Sequence, residues 1–439
     1  MALDSSQPPA VDFHQLRLDG IYRMNEQDEL MLRIKVPAGV LSVEQALKVA
    51  ELAERFAGAR VHLTTRGSIE LHRVRLGDLA AIGRGLAAVG LTTRGACGGA
   101  VRGIACSTSF SPNFALTQAL VRRLHRHFAG NPHFEHLPKK FKIGVEDGYL
   151  GSRHLIQDLA LVLVDAAQDE PRYDVWVAGG LGREPQAAVL FAQGVAQSRL
   201  LPLAEAVVRL HARHTPPGKR LKHVLRRIGA ECFFRLLDAE LLDGPGQLAP
   251  AGLDAVPAPP SAVAPLTATI FAGDLDAALL RRLAHLAGVH AGGYLAVTAD
   301  QNLAFALESE ADRAILREQL AEAGLRGDTP EERTTLRVCV GNHACRMGLS
   351  PTRDVARRML QVMPESARSL SWAISGCPNS CSQPQLADFG VVSSRLAKDE
   401  QGERHPSFDV YRRKDAKLGE KVREGLSLAE LLDAVSHAK

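Results

Sequence analysis

The chain has 439 residues, enough for about three domains at ~150 residues each. Hydrophobic residues make up 46% and charged residues 23%, which supplies a sizeable core and excludes a disordered or fibrous chain. Lys plus Arg (53) barely exceeds Asp plus Glu (49), and a net charge of +4 gives no reason to expect a nucleic-acid partner. The opening MALDSSQPPAVDF lacks the charged and apolar regions of an export signal. The longest apolar run, Leu159 to Val164, is far short of a ~20-residue membrane span. Seven cysteines, an odd number, argue against a disulfide framework. A cytoplasmic protein with no membrane partner is expected.

In chain order, Leu30, Leu32, Ile34 and Val36 alternate with Met31, Arg33 and Lys35, the period of a half-buried strand. Ser42 opens a helix, with Gln45 completing a capping box. Val43, Ala46, Leu47, Ala50, Ala53 and Ala57 mark its apolar face. Val61, Leu63 and Thr65 return as a strand, followed by Ile69 and Leu71.

This unit recurs 234 residues later. Ala38, Gly39 and Leu41 reappear as Ala272, Gly273 and Leu275, and Ala50, Leu52 and Ala53 as Ala284, Leu286 and Ala287. Ala57, Gly58 and Thr64 match Ala291, Gly292 and Thr298. Where the first copy has Arg33 and Lys35, the second has Thr267 and Thr269, so one half is basic where the other is neutral. A looser repeat follows each copy. Ala105, Cys106, Ser111 and Pro112 match Ala344, Cys345, Ser350 and Pro351, and Tyr173-Asp174-Val175 matches Phe408-Asp409-Val410. Between the halves lies a stretch rich in Pro, Gly and Ala that reads as a linker. A duplicated α+β unit with pseudo-twofold symmetry follows, suited to holding one ligand between its halves.

Cys339 and Cys345 are separated by five residues in CVGNHAC, and Cys377 and Cys381 by three in CPNSC. Soft thiolates suit zinc or iron–sulfur clusters. Structural zinc favours closer pairs. The wide gap joined to a tight second pair fits a cubane cluster at least as well, and buried unligated cysteine is the third alternative. Cys97, Cys106 and Cys232 read as buried thiols, and Trp176 and Trp372 as core. The histidines show no HXXXH metal pattern. Gly179, Gly180 and Gly182 lack the GXGXXG spacing of a dinucleotide site.

SGCPNSCSQPQLADFGVV (375–392) resembles the second cysteine motif of sirohaem-dependent nitrite and sulfite reductases, and CVGNHACRMG (339–348) resembles the first. LMLRIKVPAG (30–39), LTTRGSIELH (63–72), GACGGAVRGIAC (95–106), LPKKFKI (137–143), VAGGLGREP (177–185) and TADQNL (298–303) fall in the family's order. The resemblance covers about residues 20–435. It implies that each half is a ferredoxin-like half-domain followed by a sirohaem/4Fe-4S reductase-type α/β domain. The divisions are then a tail at 1–20, a first half-domain at 21–92, a first reductase-type domain at 93–242, a linker at 243–264, a second half-domain at 265–330 and a cluster-binding domain at 331–439.

The resemblance further implies that Cys339, Cys345, Cys377 and Cys381 hold a 4Fe-4S cluster, Cys381 also bridging to the sirohaem iron. It places Arg33, Arg102, Lys140 and Lys142 around a small oxyanion on the open face of that iron. Arg66, Gln301 and Asn302 become cofactor contacts. Sirohaem carries eight carboxylates, so further cations are candidates to meet them: Arg73, Lys139, and the run Lys219, Arg220, Lys222, Arg226 and Arg227. The implied activity is six-electron reduction of nitrite to ammonia or sulfite to sulfide. SCSQPQLADFG favours nitrite. With no nicotinamide or flavin site in the sequence, electrons come from a protein donor, a ferredoxin or a flavoprotein subunit.

The chain departs from the family's pattern at Gly67, where Gln is frequent, and in PPGKRLKH (216–223), which is abbreviated. A relative acting as precorrin-3B synthase is one alternative; Lys142, His72 and the lack of an N-terminal CPG-like segment favour the reductase. A non-catalytic iron–sulfur or zinc-binding protein is another, and retention of four cations beside four cysteines speaks against it.

Overall fold

The computed structural model describes residues 12–24, 29–106, 109–167, 170–243, 263–325, 330–399 and 401–438. Most of the expected tail (1–11) and of the expected linker (244–262) lies outside the described residues.

The sequence repeat is a repeat of structure. In the first half, strands Leu30–Ile34, Arg60–Leu63 and Ile69–Val74 form a sheet over helix Val43–Phe56. The capping box is present: the Gln45 amide donates to Ser42 Oγ at 3.2 Å, and the Ser42 amide to Gln45 Oε1 at 3.1 Å. In the second half, strands Val263–Ala268, Tyr294–Val297 and Leu303–Leu307 lie over helix Ala277–His290, capped by Asp276.

The two half-domains are not separate bodies, because each lends the other an edge strand. Asp274–Asp276 pairs with Arg60–Leu63 of the first half, and Val40–Ser42 pairs with Tyr294–Val297 of the second. A left-handed turn precedes each lent strand, Ala38-Gly39 (φ 57° and 77°) in one half and Ala272-Gly273 (φ 55° and 62°) in the other. A Cβ on Gly39 would stand 2.5 Å from the Val297 carbonyl oxygen, and one on Gly273 2.5 Å from that of Leu63. Each glycine thus lets the backbones of opposite halves touch, which no larger residue allows. The two helices pack together over one shared apolar core.

Each half continues into a five-stranded sheet of one topology. Ala105–Cys106, Ile143–Asp147 and Leu159–Asp165 run parallel, and Arg172–Val177 and Val189–Ala196 follow antiparallel. The second sheet repeats this with Leu336–Val338, Trp372–Ser375 and Phe389–Lys398, then Arg404–Arg412 and Glu420–Leu426. Parallel neighbours require a crossover, supplied for the first pair of each sheet by helix Phe114–Phe128 or helix Thr352–Val362. Separate apolar cores lie against the two sheets.

Trp372 is buried, as are Cys97 and Cys106. Two residues read as buried are not. Trp176 is half-buried, because its indole N–H reaches out to the Tyr149 hydroxyl at 3.1 Å. Cys232 is half-buried on helix Lys222–Asp243, where Arg235 donates to its sulfur at 3.1 Å. Among the described residues no helix is long and apolar enough to cross a membrane.

Candidate active site

The strands Leu336–Val338 and Trp372–Ser375 are parallel neighbours, so their carboxyl ends bring Cys339 and Cys377 to one sheet edge, where ligands of α/β sheets gather. The Gly376 amide donates to Cys339 Sγ at 3.1 Å. Burial pushes the Cys339 thiol up to about 12, with the neighbouring Cys381 adding to the rise. Burial likewise raises Cys377 to about 11 and raises Cys345. Backbone amides of Gly341, Met347, Gly348 and Asn379 point at these sulfurs and pull the other way.

A cluster fits this donor set. The thiols sense one another's charge, and backbone N–H groups are aimed at sulfur, as cluster thiolates require. A single tetrahedral zinc fits less well, because its ligand atoms must crowd within ~2.3 Å of one point. Among the described residues no three His, Cys, Asp or Glu side chains converge in that way.

Facing the thiols is a concentration of cations from the first half. Phe141 is fully buried, and Arg102 N–H donates to its carbonyl at 2.9 Å. Lys140 and Lys142 flank Phe141 in this extended stretch, so both leave on the opposite face. Among the described residues neither ammonium group has a hydrogen-bond or ion-pair partner. Burial pulls Lys140 down to about 8; the Cys381 sulfur resists, while Arg102, Arg220 and Arg33 repel it further. Burial pulls Lys142 well below its ordinary value, helped by repulsion from Arg66, Arg220 and Lys140. Unpartnered cations repelling one another mark a place built for anionic groups.

Arg33 and Arg102 share one acceptor, the Ala96 carbonyl, which fixes them side by side. Arg102 is buried and also donates to the Gly98 carbonyl at 3.0 Å. Arg33 grips Glu70 with Nε at 2.9 Å and Nη2 at 2.6 Å. Burial works against the Arg33 charge, but Cys97 and Glu70 outweigh it and raise its pKa. Lys35, which could have faced solvent on a strand edge, is instead 2% exposed and donates to the Val101 carbonyl at 3.1 Å.

Of the remaining expected cofactor contacts, Gln301 joins the halves, while Arg66 and Asn302 each bond within their own half. Arg66 donates to Gln157 Oε1 at 2.8 Å and to the carbonyls of Gly103 (2.9 Å) and Ile143 (3.2 Å). Burial, with repulsion from Arg220 and Arg102, lowers it to about 9. Gln301 is buried and uses its amide on Leu63 O, Val338 O and Val338 N–H. Asn302 accepts from the Ile270 amide at 2.9 Å. Gln301 and Asn302 therefore brace backbone through these groups.

In the basic run, Arg220 is buried against Asp158 at 2.7 Å, and Lys222 is buried on the carbonyls of Gly180, Leu181 and Glu184. These two cations clamp the glycine-rich 179–182 turn. Arg226 pairs with Glu184, while Arg73, Lys139, Lys219 and Arg227 are exposed.

Three site features escaped the sequence reading. Thr65 and Gln383 latch the CPNSC segment to the first half: Thr65 Oγ1 donates to the Cys381 carbonyl at 2.9 Å, and Gln383 Nε2 to the Thr65 carbonyl at 3.1 Å. Arg337 holds the Ser382 carbonyl at 3.0 Å and pairs with Asp300, which also pairs with Arg153. Glu70 stands behind Arg33. The contrast that exposed Arg33, a charge where the repeat is neutral, also applies to Glu70, whose counterpart 234 residues on is Ala304.

Comparison with known proteins identifies both kinds of domain. The family description "Nitrite and sulphite reductase 4Fe-4S domain" matches residues 111–243, and "Nitrite/Sulfite reductase ferredoxin-like half domain" matches 22–89 and 266–323, together more than half of the chain. A ferredoxin–nitrite reductase of Synechococcus elongatus is 29% identical, covering 96% of this chain and 88% of the relative. A sulfite reductase [ferredoxin] of Mycobacterium tuberculosis is 26% identical, covering 91% and 76%. The solved structure of the Mycobacterium tuberculosis NirA protein superposes with a TM-score of 0.80 at 24% identity, over 96% of this chain and 85% of that one, and shares its fold. With both domain types matched and the cysteine and cation sets facing each other, the chain belongs to the nitrite and sulphite reductase family.

Proposed function

We propose that this protein reduces a small oxyanion by six electrons, nitrite to ammonia in the first place and sulfite to sulfide as the second substrate. The observation that carries the reading is the pair of unpartnered ammonium groups of Lys140 and Lys142 facing the thiol-bearing segment at Cys381. Relatives named as ferredoxin-dependent reductases of both anions support it. Cys339, Cys345, Cys377 and Cys381 would hold the 4Fe-4S cluster, and Cys381 would also reach the sirohaem iron. When bound, the cluster would relay the donor's electrons and the sirohaem would supply the metal site at which the anion is reduced.

The chain's own residues do the rest. Arg33, Arg102, Lys140 and Lys142 gather and orient the anion by charge in a site of low dielectric. Lys140, drawn down to about 8, holds a proton it can release near neutral pH, which suits a general acid as oxygen leaves. Electrons enter from a ferredoxin-type protein, and a flavoprotein is the competing donor. The protein acts in the cytoplasm.

The test is an absorption and paramagnetic resonance spectrum of the anaerobically purified holoprotein, with nitrite and then sulfite added. Sirohaem bands, cluster iron and an anion-dependent shift are the expected result. A protein that carries zinc alone overturns the reading.

A further inference from the structure

Arg33 is the first member of a row that crosses four strands of one sheet. Arg33 stands opposite Glu70, Glu70 opposite His62, and His62 opposite Asp274. The duplication supplies a second row at the matching positions: Thr267 opposite Ala304, Ala304 opposite Ala296, and Ala296 opposite Val40. Each residue of the second row is the pseudo-twofold counterpart of one in the first. Every position is ionisable in one row and neutral in the other. Ala296, Ala304 and Val40 simply pack into the core of the first reductase-type domain. The fold therefore does not need charge at these positions, and the charged row asks for another explanation.

Asp274, at the far end, is accounted for by ion pairs with Arg60 and with Arg353 at 3.0 Å. His62 is buried and its ring stacks on His72, with centroids 5.8 Å apart. Glu70 is different, because its partner belongs to the anion cage. One carboxylate oxygen takes both Arg33 bonds, and the other lies 3.1 Å from His72 Nε2. Its side chain is 9% exposed, so little water screens its charge. Among the described residues Glu70 is the one carboxylate bonded to the side chain of any of Arg33, Arg102, Lys140 or Lys142.

We propose that Glu70, by offsetting the charge of Arg33 inside the cage, makes the site prefer a singly charged anion over a doubly charged one. Nitrite carries one negative charge and sulfite carries up to two near neutral pH. A fixed carboxylate beside the cage repels the second charge about as strongly as the first, so its cost falls more heavily on the dianion. Glu70 is thus a positioning residue for Arg33 and a determinant of specificity that acts through charge. The proposal rests on the reductase reading above.

The test compares the wild-type holoprotein with Glu70→Gln, which keeps the size of the side chain and an oxygen for Arg33 but removes the charge. Dissociation constants for nitrite and for sulfite are taken from anion-induced absorption shifts, and kcat and KM are measured with each. The expected result is a rise of about tenfold in the sulfite-to-nitrite ratio of kcat/KM, carried by KM and matched by the dissociation constants. Glu70→Asp, which keeps the charge but draws it back from Arg33, moves the ratio the same way by a smaller factor. This second variant carries the test where Glu70→Gln loses its cofactors. If both anions shift equally, or neither ratio moves, Glu70 merely holds Arg33 in place and the proposal fails while the reductase reading stands. A wild-type holoprotein that binds neither anion overturns the reductase reading and this proposal with it.

Discussion

Thr65 donates its hydroxyl to the carbonyl of Cys381 at 2.9 Å, and Gln383 returns a bond to the Thr65 carbonyl at 3.1 Å. Thr65 belongs to the half that carries the cations, and Cys381 to the half that carries the thiols. The next residue, Arg66, reaches back to Gly103, Ile143 and Gln157 within the cation-bearing half. A few residues therefore set the position of the exposed Cys381 thiol relative to Lys140 and Lys142.

Removing this bond should loosen the junction without emptying it. Thr65→Val keeps the shape and deletes the donor, leaving the Cys381 carbonyl short of one partner at a cost of about 1 kcal/mol. The urea midpoint of the holoprotein should fall accordingly, with both cofactors retained. Thr65→Ser should restore it, and an unchanged midpoint would show that water replaces the hydroxyl at no cost.

The thiols divide into two roles under the proposed function. Cys377→Ser, which removes a thiol buried in the protein, should strip cluster iron and abolish turnover. Cys381→Ser, at the exposed thiol, should separate the two groups, and paramagnetic resonance should then show uncoupled signals. A normally coupled spectrum in the Cys381 variant would remove Cys381 from its bridging role.

Lys142 offers a test in which activity and stability move apart. Its amine is buried among Arg66, Arg220 and Lys140, and burial and repulsion both disfavour its charge. Lys142→Met keeps the apolar stem and removes the ammonium. Turnover should drop by about 10²–10³-fold, the usual worth of one fixed donor aimed at the reacting anion. The thermal midpoint should hold or rise, because no carboxylate loses a partner. A falling midpoint with intact turnover would reverse the assignment.

Much of this site was legible because duplication turns one sequence into its own control. Arg33 against Thr267 identified a basic half, and the fully neutral row Thr267, Ala304, Ala296 and Val40 shows how far that contrast extends. Lys140 and Lys142 came from the family resemblance, with a spacing of two in an extended stretch as support. The strand exchange was not legible, since no alternation marks Val40–Ser42 as a strand ahead of the capping box, and its partner lies more than 250 residues away. The latch at Thr65 and Gln383 was hidden for the same reason, and hydroxyl and amide side chains have no periodicity to mark their partners. Arg220 and Lys222 read as candidates to meet the sirohaem carboxylates, and only the folded chain shows them clamping the 179–182 turn.

The row behind Arg33 also predicts a pH dependence of stability. His62 is 4% exposed, and burial pushes it down from its ordinary 6.5 to about 3, with Glu70 and Asp274 only partly resisting. Between those values the unfolded chain binds a proton that the folded chain does not, so stability rises with pH across the window. The contribution is complete above pH 6.5 and is lost as pH falls, at up to about 1.4 kcal/mol per pH unit. His62→Asn removes the titrating ring, and the space it leaves lowers stability equally at every pH. Urea midpoints of wild type and variant taken from pH 8 to pH 5 separate the two effects. The wild-type curve should fall more steeply below pH 6.5, and the gap between the curves should narrow toward pH 5. Parallel curves would mean that His62 takes up its proton in the folded state, with the carboxylates of Glu70 and Asp274 close enough to hold it.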